Sequence, residues 1–189
     1  MPVAVLSPEP IREGEFAVIE FRVTKYDPTH RDPSGVYTRD EWTSVSDIGR
    51  AFNGAVLTED EYRRIEDAYS ATAIAFLREA SVTALRVTGL ENNAGVPLPF
   101  AEGSPLGVAE LGEVIRQLLR EEFWCRLEGA EAFVHVGWDF YMYVGVPDPC
   151  PEAEELARRS GLFVEPFRSP YSEAKPRPDL AERQNKHEP

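Results

Sequence analysis

Apolar side chains along this 189-residue chain recur with two different periods, and the switches between them outline a fold. In residues 15–24, Ile19, Phe21 and Val23 alternate with Glu20 and Arg22, which predicts a half-buried strand. Asp27-Pro28 and Asp32-Pro33-Ser34-Gly35 then stop regular structure. Residues 43–52 fit a short helix capped by Ser44 or Ser46. Thr58 opens the clearest helix. Thr58-Glu-Asp-Glu61 has the capping-box form, and Tyr62, Ile65, Tyr69, Ala73, Phe76 and Ala80 recur at helical spacing on one face. Glu59, Asp60, Glu66 and Asp67 crowd its first half, where the helix dipole favours negative charge.

Residues 81–87 predict a second strand, and residues 90–107, rich in Gly, Pro and Asn, a long loop. Leu111, Ile115, Leu118 and Leu119 mark a second helix over residues 108–124. Residues 132–136 and 140–144 flank Gly137-Trp138-Asp139, the pattern of a hairpin. In its second arm Tyr141 and Tyr143 share one face, with Phe140, Met142 and Val144 on the other. Residues 152–160 fit a short helix ended by Gly161. Residues 162–167 form a last strand, and Pro166 places it at an edge or a strand end.

The predicted fold is α+β, one domain over residues 15–171 with a small mixed or antiparallel sheet covered by two long helices. Residues 1–14 are Pro-rich and predicted to be a loose extension. Residues 172–189 are charged, contain Pro and lack aromatics, which predicts a disordered tail.

Charge narrows the function classes. Twenty basic against 33 acidic residues give a net charge of −13. Such a chain repels phosphate backbones, which disfavours nucleic acid as a partner, and attracts basic proteins. Acidity for solubility alone explains the same number. Two cysteines, Cys125 and Cys150, are too few for a disulfide framework. The first residues lack the basic region and apolar run of a signal peptide, and no segment offers the ~20 apolar residues of a membrane span. The expected location is the cytoplasm, with no membrane partner.

Candidate chemistry is sparse. His-x-x-x-His and Cys-x-x-Cys spacings are absent, so no metal or other cofactor is expected. Asp27 and Asp32 read as turn residues, and Gly103-Ser-Pro-Leu-Gly107 lacks the lysine of a phosphate loop. His135, with Asp139 and Cys125, could build a small enzyme, or be a hydrogen-bonded histidine on a sheet face. Asp40-Glu41-Trp42, Asp47, Glu59, Asp60, Glu66 and Asp67 form an acidic run with an embedded ring. Trp138, Tyr141 and Tyr143 add aromatic anchors. These are the candidate partner-binding residues, though solvated helix starts and core rings account for the same pattern.

Several segments carry a resemblance: Lys25-Tyr-Asp-Pro28, Arg31-Asp32, Gly35-Val-Tyr37, Glu41-Trp-Thr-Ser-Val-Ser-Asp-Ile-Gly49 and Leu57-Thr-x-x-Glu-Tyr62. Further on come Leu119-Arg-Glu-Glu-Phe-Trp-Cys-Arg-Leu127, Phe133-Val-His-Val-Gly-Trp-Asp-Phe-Tyr-Met-Tyr-Val-Gly145 and Ser160-Gly-Leu-Phe-Val-Glu-Pro-Phe-Arg-Ser-Pro-Tyr171. Together they span residues 21–171. The pattern resembles small acidic immunity proteins encoded beside LXG-type and related secreted toxins of Gram-positive bacteria. The resemblance implies a chain without catalytic activity that binds and neutralises a cognate toxin domain, often a nuclease, by occlusion. The competing expectations are the small enzyme and a housekeeping interaction domain.

Overall fold

The computed structural model describes residues 18–137 and 139–172. The expected extension at 1–14, the expected tail from 173 onward and Trp138 lie outside the described residues. The first half runs β1 (Ile19–Thr24), β2 (Ala51–Phe52), β3 (Ala55–Val56), α1 (Glu59–Glu79), β4 (Ala84–Glu91) and β5 (Pro105–Gly107). The second half adds α2 (Val108–Leu119), β6 (Trp124–Glu128), β7 (Phe133–Val136), β8 (Met142–Val146), α3 (Pro151–Arg159) and β9 (Phe163–Pro166).

Seven strands form one sheet in the order β5-β4-β6-β7-β8-β1-β9, with every neighbouring pair antiparallel. Strands β2 and β3 make a separate hairpin. The α+β class agrees with the pattern of periods. The sheet is larger than expected, and of the two helices expected to be long only α1 is, with 21 residues against 12 in α2; the short third helix is present, and α1 packs against both α2 and α3. No helix among the described residues is long and apolar enough to cross a membrane.

Register decides which side chains share a face. Phe21, Val144 and Val134 lie opposite one another across three strands, as do Val23, Met142 and Val136. Leu127 and Val87 continue the first row, and all of these side chains are buried. The helices cover this apolar face; the Phe76 ring of α1, for instance, lies 5.3 Å from that of Phe21. The opposite face is polar. Glu165, Arg22, Tyr143, His135, Arg126 and Thr88 form one row across six strands.

Four local expectations need correction. Residues 43–52 are not an α-helix; Ser44 caps only a 3-10 turn, Val45–Asp47, and the chain then turns into β2. Asn53 and Gly54 both have positive φ, +50° and +84°, the type I′ geometry that closes tight hairpins. The second helix stops at Leu119 rather than 124, because Glu121 turns to φ +60° and Trp124 already belongs to β6. Part of the expected 90–107 loop is strand, since Pro105–Gly107 pairs with β4 at the sheet edge. The strand expected at 81–87 starts later, at Ala84, and runs to Glu91. At the end of the chain pattern and structure agree: Gly161 ends α3 at φ +83°, and Pro166 ends β9 on the outermost strand.

Candidate functional site

The aromatic and acidic stretch at residues 25–47 folds into an arm whose own side chains fill it. The Lys25 side chain is only 4 % exposed. Its Nζ sits 4.0 Å from the ring centroids of both Tyr26 and Trp42, and 3.3 Å from Glu41 Oε2. Burial pulls the Lys25 ammonium down to about 8, against the opposing pull of Glu41. Tyr37 donates its hydroxyl to the other Glu41 oxygen at 2.5 Å. Trp42 packs against Phe140 and Tyr62, with centroids 4.9 and 5.5 Å away. Asp47 is buried, accepts from the Thr43 amide and pairs with Arg50. Of the four candidates in this arm, Trp42 and Asp47 therefore hold the fold and Glu41 is consumed by an internal pair. Asp40 alone keeps an exposed carboxylate without an ion partner among the described residues.

The α1 acids divide in the same way. Thr58 Oγ1 accepts from the Glu61 amide, but the Glu61 carboxylate turns to Arg64, so only half of the capping box forms. Glu59 pairs with Arg63 and Asp67 with Arg116 of α2. Glu66 is 2 % exposed and held by both arms of the Arg120 guanidinium, at 2.7 and 2.6 Å. It is a helix–helix clamp rather than a docking residue. Asp60 remains exposed and unpaired among the described residues.

The tyrosines do not form an exposed pair. Tyr143 is buried and Tyr141 half-buried, with Arg22 stacked 5.0 Å over the Tyr141 ring. The chain after β9 covers them. Phe167 lies on the Arg22 guanidinium at 4.0 Å, and Tyr171 packs near Tyr143, His135 and Trp124. The Ser169 amide donates to Glu20 at 2.6 Å, and Ser172 Oγ reaches the same carboxylate at 3.2 Å. Residues 167–172 thus form a strap across the polar face. No alternation of polar and apolar positions marks it as a covering segment.

Beneath the strap lies His135. Its Nδ1 is 2.8 Å from Ser169 Oγ, and its ring stacks on Phe133 at 4.3 Å with planes 12° apart. Nε2 lies 3.3 Å from Glu128 Oε1, at an angle too oblique for a full hydrogen bond. That contact, with Arg126 beside it, still outweighs burial and holds the Glu128 carboxyl below the usual range. Burial depresses His135, favouring the neutral ring. Register separates His135 from Cys125. His135 pairs directly with Arg126, so Cys125, one residue away, points to the opposite face. The His135–Cys125 pair that a small enzyme would need does not form, and His135 is instead a hydrogen-bonded histidine on the sheet face. Burial also pushes the thiols up, Cys125 to about 12 and Cys150 to about 11. Among the described residues no group of His, Cys, Asp and Glu side chains is arranged to hold a metal ion.

A second polar cluster joins strands to arm. Glu165 accepts from both Arg22 and Arg31. Burial pulls this carboxyl up, but the two guanidiniums outweigh it and hold it low. Among the described residues no hydrogen-bond acceptor meets the buried Nε and Nη2 atoms of Arg31. The sequence marks none of this, because the partners lie more than 130 residues apart. Comparison of the chain with family models, with curated proteins and with solved structures finds no match.

Proposed function

We propose that this chain is an immunity protein, a stoichiometric inhibitor that binds a basic secreted-toxin domain in the cytoplasm of the producing cell and occludes it. The observation that carries the reading is where the charge excess stands. Interior and helix-face acids are neutralised by arginines, as in Glu66–Arg120, Asp67–Arg116 and Glu165–Arg22/Arg31. Asp40, Asp60, Glu121, Asp139, Asp148 and Glu152 are exposed without an ion partner among the described residues. With a net charge of −13, such an exterior accelerates encounter with a cationic protein and repels nucleic acid. An interface of standard size buries about 1,600 Å² and reaches nanomolar affinity when charge and shape match.

The test is co-expression with the C-terminal domain of the toxin encoded beside this chain's gene. Growth rescue with one-to-one co-purification is expected, and undiminished killing would reject the reading. A second reading, a small hydrolase, is favoured only by the Ser169–His135–Glu128 chain of contacts. Against it, Ser169 is 3 % exposed and its Oγ already accepts from the Tyr171 amide. A fluorophosphonate probe that labelled Ser169 in the folded protein would favour the hydrolase; no labelling is expected.

A further inference from the structure

We infer that residues 167–172 are a pH-sensitive latch, closed over the polar face of the sheet while the His135 ring is neutral and opened when that ring takes up a proton. This goes beyond the reading above and holds whether or not a partner is bound. The strap is tied down by side chains rather than by a strand ladder. Pro166 ends β9, and the Phe167 amide makes one more backbone bond, to the Glu20 carbonyl at 3.1 Å. From there Glu20 Oε2 accepts the Ser169 amide and the Ser172 hydroxyl. Arg126 Nη1 donates to the Tyr171 carbonyl at 3.4 Å, and Ser169 Oγ meets His135 Nδ1 at 2.8 Å. Only Ser169 among residues 167–172 is buried. A segment held in this way opens at a lower free energy than the strands beneath it.

The hydrogen bonds fix which form of the ring the closed strap accepts. Ser169 Oγ already accepts from the Tyr171 amide at 3.2 Å, so its single proton is directed at His135 Nδ1. Nδ1 is then an acceptor, the ring is neutral, and its own proton sits on Nε2, toward Glu128. A second proton would turn Nδ1 into a donor. The Ser169 hydroxyl, on a residue 3 % exposed, would lose its acceptor, which is costly in a buried site.

Charges on two strands face the ring. Burial is the largest influence and favours the neutral form, as does Arg126 of β6, while Glu128 of β6 and Glu20 of β1 favour the charged one. Tyr143 of β8 and Tyr171 of the strap, both pushed up by burial, add no charge near neutral pH, and the Phe133 ring stacked on the imidazole adds none. The balance lies with the neutral ring while the strap is closed. Once the strap lifts, water reaches the ring and its affinity for the proton returns toward the ordinary value near 6.5. The closed form therefore holds this proton less tightly than the open one. Closure is fully favoured above about pH 6.5 and weakens as the pH falls below it. Opening bares the side chains that Tyr171 covers, among them Trp124 and Tyr143, so this face presents a different surface in acid.

The experiment is amide hydrogen exchange of the full-length chain, followed by NMR at about pH 7.5 and about pH 5.5, each rate divided by its intrinsic value at that pH. The Ser169 and Tyr171 amides report the strap, and the amides of β7 and β8 report the sheet. Protection of the strap amides is expected to fall severalfold, at most about tenfold for an open ring with the ordinary value, while the sheet amides hold. His135→Gln, whose side chain does not titrate, should show no fall. Tyr171→Ala uncovers the ring, and should bring the His135 titration, read from its Cε1 proton, up from below the ordinary value toward it. Unchanged strap protection in the native chain, an equal fall in His135→Gln, or a fall shared by the sheet amides would overturn the latch. Should His135→Gln not fold, the titration decides alone: a native His135 already at about 6.5, or one that Tyr171→Ala leaves in place, rejects it.

Discussion

Gly145 lies in β8 directly opposite Phe133 of β7, and the Phe133 ring lies across it. A Cβ added at Gly145 would come within 2.2 Å of Phe133 Cε1, with two more ring atoms at 2.5 and 2.7 Å. Gly145→Ala must therefore push the ring away, and with it the stack on His135. Overpacking of this kind costs roughly 1–3 kcal/mol, of which the lost ring stacking is about 1. For a chain of this size, about 2 kcal/mol lowers Tm by roughly 4–8 °C. Phe133→Ala alone should cost about 2 kcal/mol, since the ring is partly exposed. Once the ring is gone, alanine at 145 fits and restricts the unfolded chain, which stabilises by about 0.5–1 kcal/mol. The double variant should thus be more stable than Phe133→Ala, with a coupling of about −3 kcal/mol. Urea denaturation of the four proteins measures this. Additivity within about 0.5 kcal/mol would refute the claim that the ring dictates glycine at 145.

Lys25 gives a pH signature. Its folded value near 8 lies below the ordinary 10.5, so the unfolded chain holds this proton more tightly. Stability from this group is lowest below pH 8 and rises between 8 and 10.5, by about 3 kcal/mol in full. Above pH 10 Tyr143, pushed up to about 12, and the other buried tyrosines reverse the trend, because only their unfolded forms ionise. Above pH 9 the buried Cys125 and Cys150, held at about 12 and 11 against an ordinary 9, oppose this rise. The measurement is therefore the stability gap between the native protein and Lys25→Met, in which thiols and tyrosines cancel; it should move by about 2 kcal/mol in favour of the native protein from pH 7.5 to 10 in chemical denaturation. In the Glu66–Arg120 clamp the two deletions should differ. Arg120→Ala strands a carboxylate that is 2 % exposed and should cost about 3–5 kcal/mol. Glu66→Ala leaves a guanidinium that is 36 % exposed and should cost about 1–2; equal losses in urea melts would contradict this. Cys125 and Cys150, both fully buried, should react with a thiol reagent such as DTNB only as fast as the protein unfolds.

Periodicity was enough to place α1, the β7–β8 hairpin, α3 with its Gly161 stop and the last strand at an edge. In each, the local rule and the tertiary demand coincide. Two local signals compete around residues 43–54: Ser44 suits a helix start, but the left-handed pair Asn53-Gly54 closes the β2–β3 hairpin instead. The pair Phe123-Trp124 fits a continuation of α2. Only its pairing with β4 and β7 makes it a strand, because a short apolar run satisfies either period.

The acidic, aromatic character of residues 40–67 and the charge excess are properties of the sequence alone, since composition does not depend on fold. Which of those carboxylates face a partner is not. That depends on where arginines far along the chain arrive, Arg116 and Arg120 from α2 to Asp67 and Glu66, and on Lys25 reaching Glu41 inside its own arm. Pairing at a few ångströms removes a charge from the exterior field, and such distances are set by how helices and strands pack rather than by the order of residues.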